Sequence, residues 1–209
     1  MIGKFITFEG GEGCGKSTQV SHLIQFLRIK GIKALPTREP GGSPGAELIR
    51  GLHVTGEIDR WDAMTETLLL FAARRDHLVR TILPALQSGT WVICDRYVDS
   101  TMAYQGYGRG VDHATIDALH KMVAGDLRPD LTLVLDIDPE IGLKRTFERE
   151  HGLEDRFERM DMNFHRRLRA GFLEIAKQDP SRYAIVDAGR AIDDVALEIE
   201  KQINERFAL

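Results

Sequence analysis

The sequence predicts an α/β fold in which a parallel β-sheet is covered by helices on both faces. Three observations carry that prediction. Short runs rich in β-branched and aromatic residues recur along the chain, longer segments with helical spacing lie between them, and the two kinds alternate. Strands that alternate with helices imply a parallel sheet buried on both sides.

The first strand is expected at residues 4–8, followed by a helix whose Val20, Leu23, Ile24 and Leu27 recur at helical spacing. A second run, 33–36, leads into Glu39-Pro40-Gly41-Gly42-Ser43-Pro44-Gly45, a loop beyond a strand end, where ligand loops of such sheets sit. The third strand is expected at 90–94. The helix opening near His113 meets its stop signals at Gly125 and Pro129, ahead of a fourth strand at 131–137. The fifth is expected at 183–186, before a last helix carrying Val195, Ile199 and Ile203.

With 209 residues, 43% of them hydrophobic, and no linker or repeat, the chain reads as one domain, 1–209. A formal net charge of -4 gives no broad positive field, so no nucleic-acid partner is expected. No run of eighteen apolar residues occurs, so no membrane association is expected either. The only cysteines, Cys14 and Cys94, read as reduced thiols of a cytoplasmic protein.

The strongest chemical signal is Gly10-Gly11-Glu12-Gly13-Cys14-Gly15-Lys16-Ser17, a match to G-x-x-x-x-G-K-[ST] between a strand and an amphipathic helix. Its glycines let backbone N–H groups wrap phosphate oxygens, in the P-loop manner. Lys16 would reach a transferred phosphate, Ser17 would ligate magnesium, and Thr18 follows in the helix start. Asp95, closing the run Trp91-Val92-Ile93-Cys94, fits the second carboxylate that such a site turns toward the metal. Asp136 ends a similar run and competes for the role. Asp95 is preferred because Arg96 follows it, a cation suited to an acceptor phosphate.

Phe8-Glu9-Gly10, Thr37-Arg38-Glu39-Pro40-Gly41-Gly42, Phe71-Ala72-Ala73-Arg74-Arg75, Asp95-Arg96-Tyr97 and Ala103-Tyr104-Gln105-Gly106, in that order, closely resemble bacterial thymidylate kinases over essentially the whole chain. The resemblance implies a P-loop NTPase fold with a five-stranded parallel sheet, a homodimer, and transfer of the ATP γ-phosphoryl group to dTMP with Mg2+. It implies that Phe71 stacks on thymine and Arg75 bonds the 4-oxo group, that Thr101 and Gln105 face the pyrimidine edge, and that Arg38, Arg50 and Arg96 hold the monophosphate. Glu12 matches an acid at the sugar 3'-hydroxyl and Glu9 one near the metal and reacting phosphates.

A mobile lid is implied at about 144–159. Because this P-loop carries no arginine, catalytic cations are expected from the lid, Arg149 and Arg156, with Arg145 nearer the adenine and phosphates of ATP. Two positions depart from the family pattern: Phe172 stands where many relatives place a tyrosine near the nucleotide sugar, and Arg74 where an acid is common. Two alternatives stay open. One is a P-loop ATPase or switch, against which no Asn-Lys-x-Asp motif occurs; the other is a kinase for another pyrimidine monophosphate.

Overall fold

The computed structural model describes residues 3–148 and 156–209. Five strands, β1 (Phe5–Glu9), β2 (Ala34–Arg38), β3 (Trp91–Asp95), β4 (Leu131–Asp136) and β5 (Tyr183–Asp187), form one parallel sheet in the order β2-β3-β1-β4-β5. Each falls on an expected run, displaced by at most a residue or two. Alternation sends successive side chains to opposite faces. Ile6, Phe8 and Ile93 join one core cluster, while Phe5, Val92 and Cys94 join another on the far face.

Helix α1 (Lys16–Ile29) and the C-terminal helix α9 (Ile192–Phe207) pack together over the first face, with Leu23, Leu27, Ile199 and Ile203 buried between them and the sheet. The opposite face is covered by α3 (Ala63–His77), α4 (Leu83–Gln87) and α6 (His113–Ala124), with α2 (Pro44–Val54) packed on α3. A short helix α5 (Val98–Thr101), then α7 (Pro139–Phe147) and α8 (Met162–Gln178), complete the layers. Aspartates start many of these helices: Asp62, Asp112, Asp138 and Asp161 each accept backbone N–H bonds from the first turn they cap. Among the described residues no helix is long and apolar enough to cross a membrane.

Register decides what meets at the carboxyl ends of the strands. Phe8 pairs with Asp95 and Arg38 also pairs with Asp95, so the loop after β1, the acid of β3 and the arginine of β2 emerge side by side. Two wide, π-helical turns, Leu78–Ile82 after α3 and Met102–Gly108 after α5, interrupt the ordinary helical repeat. Such turns concentrate at functional sites, and the second carries cavity-lining residues.

The central strand packing predicts a sharp contrast between two isoleucines. Ile93→Ala, at a site with 0% exposure, lowers the unfolding free energy by roughly 2–5 kcal/mol. Ile29→Ala, at a 78% exposed site, changes it by no more than about 0.5 kcal/mol. Urea denaturation measures both; equal losses would contradict this packing.

Candidate active site

Beyond Glu9 the chain turns through glycines and re-enters a helix at Lys16, with Gly15 in the left-handed region at φ 91°. Gly13, at φ 66°, lies so close to α7 that a Cβ there would stand 1.9 Å from the Gly142 carbonyl oxygen. Only glycine satisfies both demands. Lys16 Nζ lies across this loop and donates to the Gly10 and Gly11 carbonyls at 3.2 and 2.9 Å. Ser17 Oγ donates to Asp95 Oδ2 at 2.8 Å, the juxtaposition that the β1–β3 register sets up. The rival acid, Asp136, is held instead by Arg169 through bonds of 2.7 and 2.9 Å. Cys14 is buried in the core cluster beneath the loop, its sulfur accepting from Lys16 Nζ at 3.4 Å.

These groups floor a polar cleft that Lys16, Ser17, Thr18, Arg38 and Asp95 line. A second cavity adjoins it, walled by Leu70, Arg74, Tyr97, Thr101, Tyr104 and Gln105. Glu12, Glu39, Arg50, Arg96 and Glu158 line both. Arg96 stands at the junction because its backbone takes φ 68°, unusual for a side-chain-bearing residue. That turn brings its guanidinium back to the Gly10 carbonyl at 2.9 Å and to both oxygens of Glu12 at 3.1 Å. Burial alone would raise the Glu12 carboxyl, but Arg96, Lys16 and the Tyr104 hydroxyl outweigh it and hold the group at about 2.

The second cavity is built on a buried ion pair. Arg74, 2% exposed, donates through Nε to Glu39 Oε2 at 2.7 Å and through Nη2 to Thr101 Oγ1 at 3.0 Å. His77 donates from Nδ1 to the other Glu39 oxygen at 3.0 Å. Burial pushes Glu39 up, yet Arg74 and His77 bring it below the usual carboxylate range. Gln105 Nε2 donates to Glu66 at 2.7 Å. Among the described residues, Arg74 Nη1 and Gln105 Oε1 are buried without a protein partner, a donor and an acceptor on two residues that line one cavity.

Several expected residues lie elsewhere. Phe71 belongs to the core under the sheet, with the Arg74 guanidinium over its ring, and Leu70 takes its place on the cavity wall. Arg75 is exposed and donates to the Val123 carbonyl at 2.9 Å, so Arg74 is the arginine that enters the cavity. One residue is about 100° of helix, and the expectation was placed one step late. Phe172 packs edge-on to Tyr104 in the third core cluster and lines a small cavity beneath the P-loop, while Tyr104, with Tyr97 and Phe157, lines the cavity that Leu70 walls.

Arg156 is buried and fully hydrogen-bonded. At 1% exposure it donates to Glu66 Oε2 at 2.5 Å and to the carbonyls of His53, Glu57 and Ile58, closing off the end of α2. Four acceptors satisfy its fork, which makes it an anchor. Glu9 has no exposure and lies below both cavities, accepting from Tyr97 N at 2.8 Å and Ser100 Oγ at 2.5 Å. Burial, with Asp99 adding to it, raises its carboxyl to about 7; the group supports the turn after β3 and does not face the cleft. Arg145 donates to the Ala188 carbonyl at 3.0 Å, tying α7 to the turn after β5. Arg149 lies outside the described residues.

Leu70 and Glu66 were not singled out from the sequence; Glu39 and Tyr104 stood only within quoted motifs, and Arg74 only as a departure from the family pattern. Leu68, Leu69, Leu70 and Phe71 are all apolar, so composition could not say which faces the cavity. The available signal was Arg74 with His77 on one face of α3 across from Glu39 on the expected ligand loop.

Residues 8–199 match the family described as "Thymidylate kinase". A thymidylate kinase from Magnetococcus marinus is 50% identical over 207 residues, covering 99% of this chain and 98% of its own length. One from Caulobacter vibrioides is 50% identical over 207 residues, covering 99% of each. The crystal structure of thymidylate kinase from Ehrlichia chaffeensis, at 36% identity, superposes with a TM-score of 0.81 over 97% of this chain and 100% of that one. A family match over residues 8–199, with relatives half identical over nearly the whole chain, means that this chain belongs to the thymidylate kinase family.

Proposed function

We propose that the two adjoining cavities divide one reaction, with ATP over the P-loop and dTMP in the cavity walled by Leu70 and Arg74. The activity is that of the family, ATP-dependent phosphorylation of dTMP to dTDP. One observation carries the assignment of halves: Glu12, Glu39, Arg50, Arg96 and Glu158 line both cavities, so an acceptor phosphate beside Arg96 would face a donor phosphate beside Lys16.

The acceptor phosphate is already anionic and needs no strong base, so the protein's work is alignment and charge neutralisation. Lys16 leaves two loop carbonyls to meet the transferring phosphate, and Arg96 and Arg50 orient the acceptor with Arg38 at the cleft edge. Glu12, held ionised beside Arg96, is the acceptor offered to the sugar hydroxyl. Ser17 and Asp95 present oxygen atoms only, the donor set a hard divalent cation takes, so they are the residues that would hold Mg2+. When bound, Mg2+ supplies charge neutralisation at the phosphates.

The whole chain, 1–209, works as one unit around this cleft, and residues 144–159 are its cover, a reading supported by Thr146 and Glu158, which both line the phosphate cleft. Arg156 anchors that cover, and Arg149 is its candidate catalytic cation. The Arg145 link to Ala188 supports the turn after β5 as the adenine side. Exposed Leu48 and Leu52 on α2, Met64 and Leu68 on α3 and Met122 on α6 give a homodimer an apolar face. Two buried free cysteines favour a cytoplasmic setting.

Four outcomes test this reading. Lys16→Ala lowers kcat by at least about a hundredfold with the fold intact by circular dichroism; a near-normal rate would remove the P-loop from the mechanism. In a panel of monophosphates with ATP and Mg2+, dTMP leads, dUMP follows at a modest factor because one methyl contributes about 0.8 kcal/mol, and dCMP falls far behind. Arg74→Gln narrows the dTMP-to-dCMP gap by roughly tenfold or more, since a charged hydrogen bond contributes about 1.5–3 kcal/mol. Arg75→Ala leaves that gap unchanged; the reverse pattern would return base reading to Arg75. Sedimentation equilibrium gives twice the 23.5 kDa chain mass, and Leu68→Glu shifts it to the monomer. A wild-type monomer at micromolar concentration would refute the dimer.

A further inference from the structure

Gln105 lines the acceptor cavity with an amide whose two ends do opposite things, the nitrogen donating and the oxygen accepting. Which end meets a ligand decides which base edge the cavity takes. The amide turns over easily unless a neighbour forbids it, and the neighbour is Glu66 on α3, with 0% exposure. Its Oε1 accepts from Gln105 Nε2 at 2.7 Å. An ionised carboxylate has no proton to give, so it binds the amide nitrogen and refuses the oxygen. Gln105 Oε1 is thereby turned away, buried and without a protein partner among the described residues.

Glu66 is itself fixed from behind. Its Oε2 accepts from Arg109 Nη1 at 2.8 Å and from Arg156 Nη1 at 2.5 Å. Arg109 continues to the Trp61 carbonyl at 2.9 Å and Arg156 to the carbonyls at the end of α2. Two cations on one oxygen leave the other committed to Gln105.

We propose that Glu66 is a positioning residue for base choice: by holding Gln105 Nε2 it presents Gln105 Oε1, together with Arg74 Nη1, as an acceptor and a donor for the pyrimidine edge. That pair takes a base with a ring N–H beside a carbonyl and rejects one with a bare ring nitrogen beside an amino group. The inference rests on the dTMP reading of this cavity. It adds that specificity is set by a residue absent from the cavity lining.

The test is Glu66→Gln, because an amide at 66 donates as well as accepts and no longer dictates how Gln105 lies. kcat/KM for dTMP and dCMP is measured in competition on one preparation, so the folded fraction cancels from their ratio. The ratio is expected to fall at least about tenfold, chiefly through KM for dTMP, and Glu66→Asp to restore most of it. An unchanged ratio in Glu66→Gln overturns the proposal while leaving the dTMP reading intact. A wild-type enzyme without preference for dTMP overturns the reading itself. Should Glu66→Gln not fold, the wild-type Gln105 side-chain amide protons, identified by NMR through their loss in Gln105→Met, decide the matter. One is expected to exchange slowly with solvent, and exchange of both at the free-amide rate overturns the proposal.

Discussion

A guanidinium taken out of water must keep its carboxylate, because breaking a buried pair leaves an uncompensated charge at a cost of about 3–5 kcal/mol. Helix α3 carries this constraint twice. Arg74 near its C-terminus is tied to Glu39 on the loop after β2, and Glu66 in its first turn is tied to Arg109 and Arg156. Those three partners come from the ligand loop, the stretch after the second π-helical turn, and the segment preceding α8. The walls of the cavity that Leu70 and Arg74 line are therefore set by which charges cannot be separated, with apolar contacts such as Leu70 filling the space between them.

This arrangement suits phosphoryl transfer, in which positioning accounts for most of what a protein contributes. Side chains on the cavity walls are each backed by a buried partner: Arg74 by Glu39, which lines both cavities itself, Gln105 by Glu66, and the turn bearing Arg96 and Ser100 by Glu9. The backing residues are buried and already hydrogen-bonded, so the facing groups lose little freedom when a nucleotide arrives. The polar cleft follows a different rule. Ser17, Lys16 and Arg96 are satisfied there by Asp95, loop carbonyls and Glu12, groups that phosphate oxygens can replace.

How much of this was legible in the sequence follows from the range of the interaction concerned. The strands were readable because a buried strand is a local run of apolar residues, and the P-loop because its glycines, lysine and serine are contiguous. Asp95 could be preferred over Asp136 on a neighbour alone, and Arg169 accounts for the rival. The misplacements all concern partners distant in sequence. Arg74 and Arg75 are indistinguishable until Glu39 chooses between them, and Phe71 displaces Leu70 in any reading that looks for a ring. Arg156 was expected among the catalytic cations of a lid, and only Glu66, far away on α3, shows it to be held in a buried ion pair.

The family departures follow from the same asymmetry between local and distant information. Phe172 looked like the loss of a hydroxyl beside a nucleotide, but the ring lies in the core behind Tyr104, and the hydroxyl that reaches the P-loop acid is Tyr104's own, bonded to Glu12. Arg74 looked like a stray charge disturbing Arg75, yet it is the paired and oriented member of the two. In both cases a departure at one position has its meaning in the side chain packed against it. A charged residue in this chain is therefore read correctly only with its counter-charge, and the counter-charges around the cavity that Leu70 and Arg74 line lie on segments distant in sequence that the fold brings together.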